Sequence, residues 1–337
     1  MKRILLLAAV FAAATAAVAE TITVATFNVW SGLTYEGILR AGEYEDRATR
    51  AFRFDLLAGE LADLAPDVVA LQEANPLPGY ADRLAAELDL DAVHDVRQAG
   101  VRVGTVGLPA NLREGDVILA SRDRALAVTA SRQLAGPGAG NVAAFQLSSG
   151  SQVLGAKVEA EGRTIHVFST RWTPSPQADR ERLVGLVDEY EAGRLPGEEF
   201  SRLVADAVAG AERRREEARE TVVFINEHAG EEPVILMGSL HALPDSEEIR
   251  VLHEAGFVDV WAAVGDGPGF TWDAATNANI VEHGLAAYPG ERARFDYVFV
   301  RGDGIVAKSA SIILDRPTYG VHASDHYGVL AEIRVDP

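Results

Sequence analysis

Cysteine is absent from all 337 residues. No disulfide and no thiolate metal site can form, so the chain must fold on its apolar core alone. Long apolar runs are also missing, apart from residues 4–16 near the start. That run is short of the ~20 residues a membrane span needs, and no transmembrane segment is expected in the mature chain. Positive charge is scarce: 31 Lys and Arg stand against 50 Asp and Glu, for a formal net charge of −19. Such a field repels polyanions at long range, which disfavours long nucleic acid as a partner. A local basic pocket stays compatible with it.

What is present begins with an export signal. Lys2 and Arg3 form a positive n-region, residues 4–16 an apolar h-region, and Ala17-Val18-Ala19 a small-x-small cleavage site. Residues 1–19 are therefore expected to be a signal peptide, with Glu20 starting a periplasmic or secreted protein. An uncleaved anchor is the alternative. Hydrophobic residues make up 48% of the chain, enough for a sizeable core, and residues 20–337 read as one domain.

Residues 21–29 alternate apolar and polar side chains and read as a strand. Residues 47–64 read as a helix burying Phe54, Leu57 and Leu61, and Pro66 enforces its end. Residues 67–72 fit a strand buried on both faces, and 80–88 a short helix. Strands are expected at 117–120, 142–147, 152–158 and 164–169, with Glu161-Gly162 as a hairpin turn. From 177 to 220 the chain turns rich in Arg, Glu, Ala and Leu. Two helical stretches are expected there, broken at 193–196, the second running to about residue 228 with Ala218, Val222 and Ile225 inward. The charge run 212–220 reads as a solvated face; a partner-binding arm is the alternative. Asp245 is placed to cap a helix that buries Ile249 and Leu252. Strands follow at 295–300, 305–314 and 328–335. Strands mixed with helices suggest an α/β or α+β sandwich.

Polar residues recur at expected strand ends: Asn28, Glu73, Ser239, His241, Asp296, Asp325 and His326. Any one of them fits a turn or cap. Together they suggest a site, and amide and carboxylate ligands without cysteine suit a hard cation such as Mg²⁺ or Mn²⁺. Asp296 is suited to orient His326 and favour its charged form.

TFNVW, ALQE, MGSLHALPDS, RFDYVFV and SDHYGV, in that order from Thr26 to Val329, resemble the endonuclease/exonuclease/phosphatase superfamily. The group includes deoxyribonucleases, abasic-site endonucleases, sphingomyelinases and inositol-polyphosphate phosphatases. Residues 115–122 resemble its Gly-x-x-Ile-Leu-Ser-Arg segment, with Ala120 as an extra residue, and Thr271-Trp272 precedes RFDYVF as in many secreted members. The resemblance implies an α/β (α+β) four-layer sandwich of two packed mixed β-sheets flanked by helices. It implies hydrolysis of a small phosphodiester or phosphomonoester with Mg²⁺ or Mn²⁺. Glu73 would be the main metal ligand, helped by Asn28 and Asp325. Asn28 and His326 would contact phosphate, and Asp296 would pair with His326.

The resemblance breaks in one half of the site. The family's turn carries Asp and Asn where this chain has Ser239 and His241, and its Thr-His-Leu segment is here Thr170-Arg171-Trp172. Ser has no useful basicity at neutral pH, and loss of a positioned base removes ~10²–10⁴-fold of rate. Two readings stay open. In one the site is rebuilt, with His241 as base or extra ligand and Arg171 on phosphate. In the other the protein is a pseudoenzyme that binds a metal or a phosphorylated ligand. For the single residues, His241 also fits a plain turn histidine, and Arg171 a salt bridge in an acidic protein. An interaction protein using the insertion at 177–220 is a further alternative.

Overall fold

The computed structural model describes residues 19–33, 45–99, 113–134, 151–282 and 292–337. The expected signal segment, apart from Ala19, and the expected strand at 142–147 lie outside the described residues.

Two six-stranded sheets form the centre. The first runs, from edge to edge, β13 (Ile305–Ile313), β14 (Gly328–Val335), β1 (Glu20–Asn28), β2 (Val68–Ala74), β4 (Arg113–Ser121) and β3 (Leu90–Ala99). The second runs β5 (Ala127–Gln133), β6 (Gln152–Ala160), β7 (Arg163–Arg171), β8 (Val234–Ser239), β12 (Asp296–Arg301) and β9 (Val258–Asp259). A short ribbon joins β10 (Trp272–Asp273) to β11 (Arg292–Ala293). The expected hairpin turn is present, with Glu161 and Gly162 both at positive φ (51° and 71°) between β6 and β7.

The period-2 alternation of the strands builds four layers. Val24, Val68, Ala70 and Ile118 of the first sheet meet Leu154, Val167, Ile235, Met237 and Val298 of the second in one buried core. The alternate residues Ala25, Phe27, Val69, Leu71, Val117 and Leu119 face outward onto Phe54, Leu57 and Leu61 of α1 (Arg47–Leu64) and Leu84 of α2 (Gly79–Leu88). On the far side, Phe168, Leu236 and Phe299 pack with Phe224 and Ile225 of α4 (Gly197–Ala229) and Ile249 and Leu252 of α5 (Glu247–Glu254).

Among the described residues each sheet holds one parallel pair, β1 with β2 and β7 with β8. Parallel neighbours end at the same edge, and an antiparallel neighbour begins there. Asn28 therefore lies beside Gln72, and Arg171 beside Ser239, which in turn faces Asp296 at the start of β12. Asp325 and His326 sit just ahead of β14, whose Val329 pairs with Thr26. One edge of the sandwich thus receives every expected strand-end residue.

Two expectations are corrected. The cap of α5 is Ser246, whose hydroxyl accepts from Ile249 N–H at 3.3 Å, rather than Asp245. The 212–220 run is not wholly solvated: Arg214 and Glu217 of α4 are buried. Their partners explain this. Glu217 accepts from Thr173 N–H (2.8 Å), the Thr173 hydroxyl (2.5 Å) and the Ser151 hydroxyl (2.6 Å). Arg214 pairs with Glu248 of α5 at 3.2 Å and donates to Ser175 O at 3.1 Å. The helix preceding α4, α3 (Arg180–Glu191), buries none of its residues.

Burial pushes the Glu217 carboxyl above the ordinary glutamate range, against the pull of Ser151, Thr173 and Arg214. Between the ordinary and the raised value the folded chain keeps a proton that the unfolded chain gives up, so stability falls as pH rises through that window. Replacing Glu217 by Gln should flatten this part of the stability–pH curve. Glu217→Ala strands three donors and should cost about 2–3 kcal/mol. Urea denaturation of the three chains at a series of pH values measures both.

Candidate active site

The loop after β1 and the segment before β14 are held together from below by α1. Arg53 donates to Val29 O (2.9 Å), Trp30 O (3.2 Å) and Ala323 O (2.6 Å), and its charge is met by Glu45. Asn28 and Asp325 are thereby fixed near each other. Asn28 Oδ1 accepts from Trp30 N–H at 3.0 Å, and its Nδ2 donates to Glu73 Oε1 at 3.1 Å. Glu73 itself sits at a φ of 61° in the register shift between Leu71 and Ala74, where β2 bulges against β4, a conformation that costs energy in a non-glycine residue and clusters at functional sites.

The second sheet brings its residues to the same place. Arg171 Nη2 lies 2.5 Å from Glu73 Oε1. Arg171 Nε and Nη1 are buried without a hydrogen-bond partner among the described residues. Gly238 is required beside it, because a side chain there would run into the Thr170 carbonyl of β7. The Ser239 hydroxyl lies 3.3 Å from His241 Nε2. His241 takes a φ of 47°, which His and Asn tolerate better than most residues, and Gln177 ties its carbonyl at 2.8 Å. The His241 and His326 rings meet edge to face at 5.4 Å.

His326 Nδ1 is 2.7 Å from Asp296 Oδ2. Asp296 is positioned by its backbone N–H on the Thr271 hydroxyl at 3.1 Å, and Trp272 packs edge to face on the His326 ring at 4.9 Å. Asp325 accepts from the Ser324 hydroxyl at 3.0 Å.

These contacts sort the protonation states. Burial disfavours a charged His326, but Asp296, Asp325 and Glu73 outweigh it and raise the imidazole to about 9. Burial lowers His241 well below the usual histidine range, and the nearby Arg171 and His326 charges push it further down. One imidazole is therefore a cation and its neighbour is neutral. Burial works against the Glu73 carboxylate, yet Arg171, Arg97 and the Asn28 bond hold it down at about 2. Burial raises Asp116 to about 7 in spite of Arg97 and Arg171.

Arg97 and Asp116 were not singled out from the sequence. Arg97, on edge strand β3, pairs with Glu114 of β4. Asp116 lies in β4 beside an apolar run, Val117 to Ala120, and that lone carboxyl was its only signal. Gln177 carried none, and Thr271 was marked only as part of the Thr271-Trp272 match ahead of RFDYVF. A 780 Å³ cavity lies next door, lined by Gln177, Arg180, Arg215, Leu243, Ser246 and Glu247 among others; none of Glu73, Arg171, His241 or His326 lines it.

A resident divalent cation needs oxygen ligands free of competing donors. Glu73 Oε1 already receives Arg171 and Asn28, and Asn28 Oδ1 is spent on Trp30. Among the described residues no group of three or more His, Asp or Glu is arranged to hold a metal. As placed, the residues do not fit the Mg²⁺ or Mn²⁺ that the resemblance implies.

No curated protein matches the chain. Among solved structures it is similar to an endonuclease/exonuclease/phosphatase from Bacteroides vulgatus, with TM-score 0.61 and 18% identity over 94% of this chain and 100% of that one. A family protein from Bacteroides thetaiotaomicron gives TM-score 0.61 and 15% identity over 95% and 99%. D. rerio TDP2, complexed with a single strand DNA product, gives TM-score 0.59 and 21% identity over 93% and 98%. At these identities the likeness is one of fold. A family model matches residues 25–326, a span that holds the strand-end cluster and every strand but β14 and the start of β1, and the chain belongs to the Endonuclease/Exonuclease/phosphatase family.

Proposed function

We propose that this protein is an exported member of the family that binds small phosphoesters at the strand-end cluster and hydrolyses them slowly. The observation that carries the reading is the buried His326–Asp296 pair at 2.7 Å, which makes His326 a cation beside Arg171. A fixed imidazolium and a guanidinium with two buried nitrogens that have no partner among the described residues favour the charge of a phosphoryl group. The net charge of −19 keeps long polyanions away, which favours small substrates.

The chemistry available is limited by the same residues. His326 is suited to donate its outer N–H to a phosphoryl oxygen while Asp296 holds the other nitrogen. His241 is the neutral base nearest Ser239, but burial and two cations make it a weak one. Turnover is accordingly slow. A second reading, a phospholigand-binding pseudoenzyme, is favoured by the Arg171–Glu73 ion pair, which leaves Glu73 no free charge to offer.

Two measurements test this. Release of p-nitrophenol from aryl phosphomonoesters and phosphodiesters, with and without Mg²⁺ or Mn²⁺, should be weak for the native chain. It should rise at least about a hundredfold in the Ser239→Asp, His241→Asn, Arg171→His triple variant. Robust native activity abolished by the triple change would mean a rebuilt site that uses His241, and no turnover in either chain would leave the pseudoenzyme reading. Separately, Asp296→Asn should weaken binding of inorganic phosphate by about tenfold, as removal of the charge partner lets His326 lose its proton. Calorimetric titration reads this, and unchanged binding would sink the placement of phosphate at His326.

A further inference from the structure

We propose that Arg171 takes the electrostatic place of the divalent cation, so that this chain keeps no resident metal at Glu73. The proposal deepens the phosphoester reading and rests on it for the identity of the site. Its geometric basis is independent of any substrate.

The guanidinium comes from β7 of one sheet and the carboxylate from the end of β2 in the other. They meet at 2.5 Å in a buried setting, with Asn28 Nδ2 on the same oxygen at 3.1 Å. Both carboxylate oxygens are engaged, since Oε2 also accepts from Ser31 N–H at 3.4 Å. An arginine cannot shed its proton to make room. A cation entering here would have to displace the guanidinium or lie against it, and like charges at such range in a buried site repel strongly. Among the described strand-end carboxylates, Glu73 and Asp296 are each held by a cationic partner and Asp325 is not, and a single such group does not make a site for a hard cation.

The sequence supports the exchange by charge. Where the resemblance expects Asp this chain has Ser239, and where it expects His it has Arg171. With that His neutral, the two changes add two positive units to the site. That is the charge a divalent ion would bring. Arg97, paired with Glu114, adds to the positive field on Glu73. The chain thus holds as side chains what its relatives' pattern leaves to a bound ion. A phosphoryl group would then be met by a guanidinium and an imidazolium in place of a metal.

Mn²⁺ binding to the EDTA-treated full chain, read by electron paramagnetic resonance and by thermal melting, decides this without any phosphoester. Failure of the phosphoester reading and failure of this one are therefore separable. The native chain should bind no Mn²⁺ at this site in the range where Arg171→His does. In that variant affinity should rise about a hundredfold, with a Mn²⁺-dependent gain in melting temperature that Glu73→Gln removes. Arg171→Lys, which keeps the charge, should exclude Mn²⁺ as the native chain does. If Arg171→His fails to fold, native and Glu73→Gln chains still decide: Mn²⁺ bound by the first and lost in the second overturns the proposal, and no difference between them supports it. A folded Arg171→His chain that binds no Mn²⁺ also overturns it.

Discussion

A guanidinium from one sheet grips a carboxylate from the other, and the strand-end edge of this sandwich is arranged around that contact. Arg171 and Glu73 each stand at the end of a parallel strand pair, the only place where the topology brings β2 and β7 residues of opposite charge together. Breaking one partner of such a buried pair costs several kcal/mol, typically about 3–5, so the pair holds the two sheets together at the strand-end cluster. Around it four more buried charge pairs are matched: His326 with Asp296, Arg97 with Glu114, Arg53 with Glu45, and Arg214 with Glu248. Burial raises the Asp116 carboxyl to about 7 against the pull of Arg97 and Arg171. A ligand entering this edge meets a network already close to balance and must offer more than charge alone.

The helical segment α3–α4 belongs to the same network. Arg214 and Glu217 reach from α4 to the segment after β7, and through Gln177 that segment ties the His241 carbonyl. The C-terminal half of α4 is thereby core and brace, while α3 stays on the surface with Val184, Val187 and Tyr190 exposed.

Much of this was legible in the sequence, for definite reasons. Strands β1, β2, β8 and β14 show clean alternation or continuous apolar runs, because central strands are buried on one or both faces. The strand-end polar residues were legible because each stands where apolar periodicity stops. Strands β3 and β5 were not, since they are edge strands: AVTASRQ has no fully buried position, so solvent leaves no pattern to read. Arg214 and Glu217 were misread for a related reason. They share the inner stripe of α4 with Ala218, Thr221 and Ile225, but a stripe assigned by hydrophobicity alone omits charges whose partners come from distant segments. The Arg171–Glu73 contact joins residues 98 positions apart, and only the packing of the two sheets fixes it.

The turn around His241 separates what the backbone demands from what the chemistry chose. Gly238 is imposed by the close approach of the Thr170 carbonyl, and the positive φ at position 241 by the exit of the chain from β8. His meets the second demand as Asn would, so the turn survives the exchange of its side chains. The side chains obey electrostatics instead. With Arg171 beside position 239 in the strand register, a carboxylate there would pair with the guanidinium and be held at low basicity. It would compete with Glu73 for the same cation and orient no water. Ser239 avoids that competition. In this register an arginine at 171 and a carboxylate at 239 would form an ion pair, and the departures from the family pattern at 171, 239 and 241 lie together at the ends of β7 and β8, while the His326–Asp296 pair keeps that pattern.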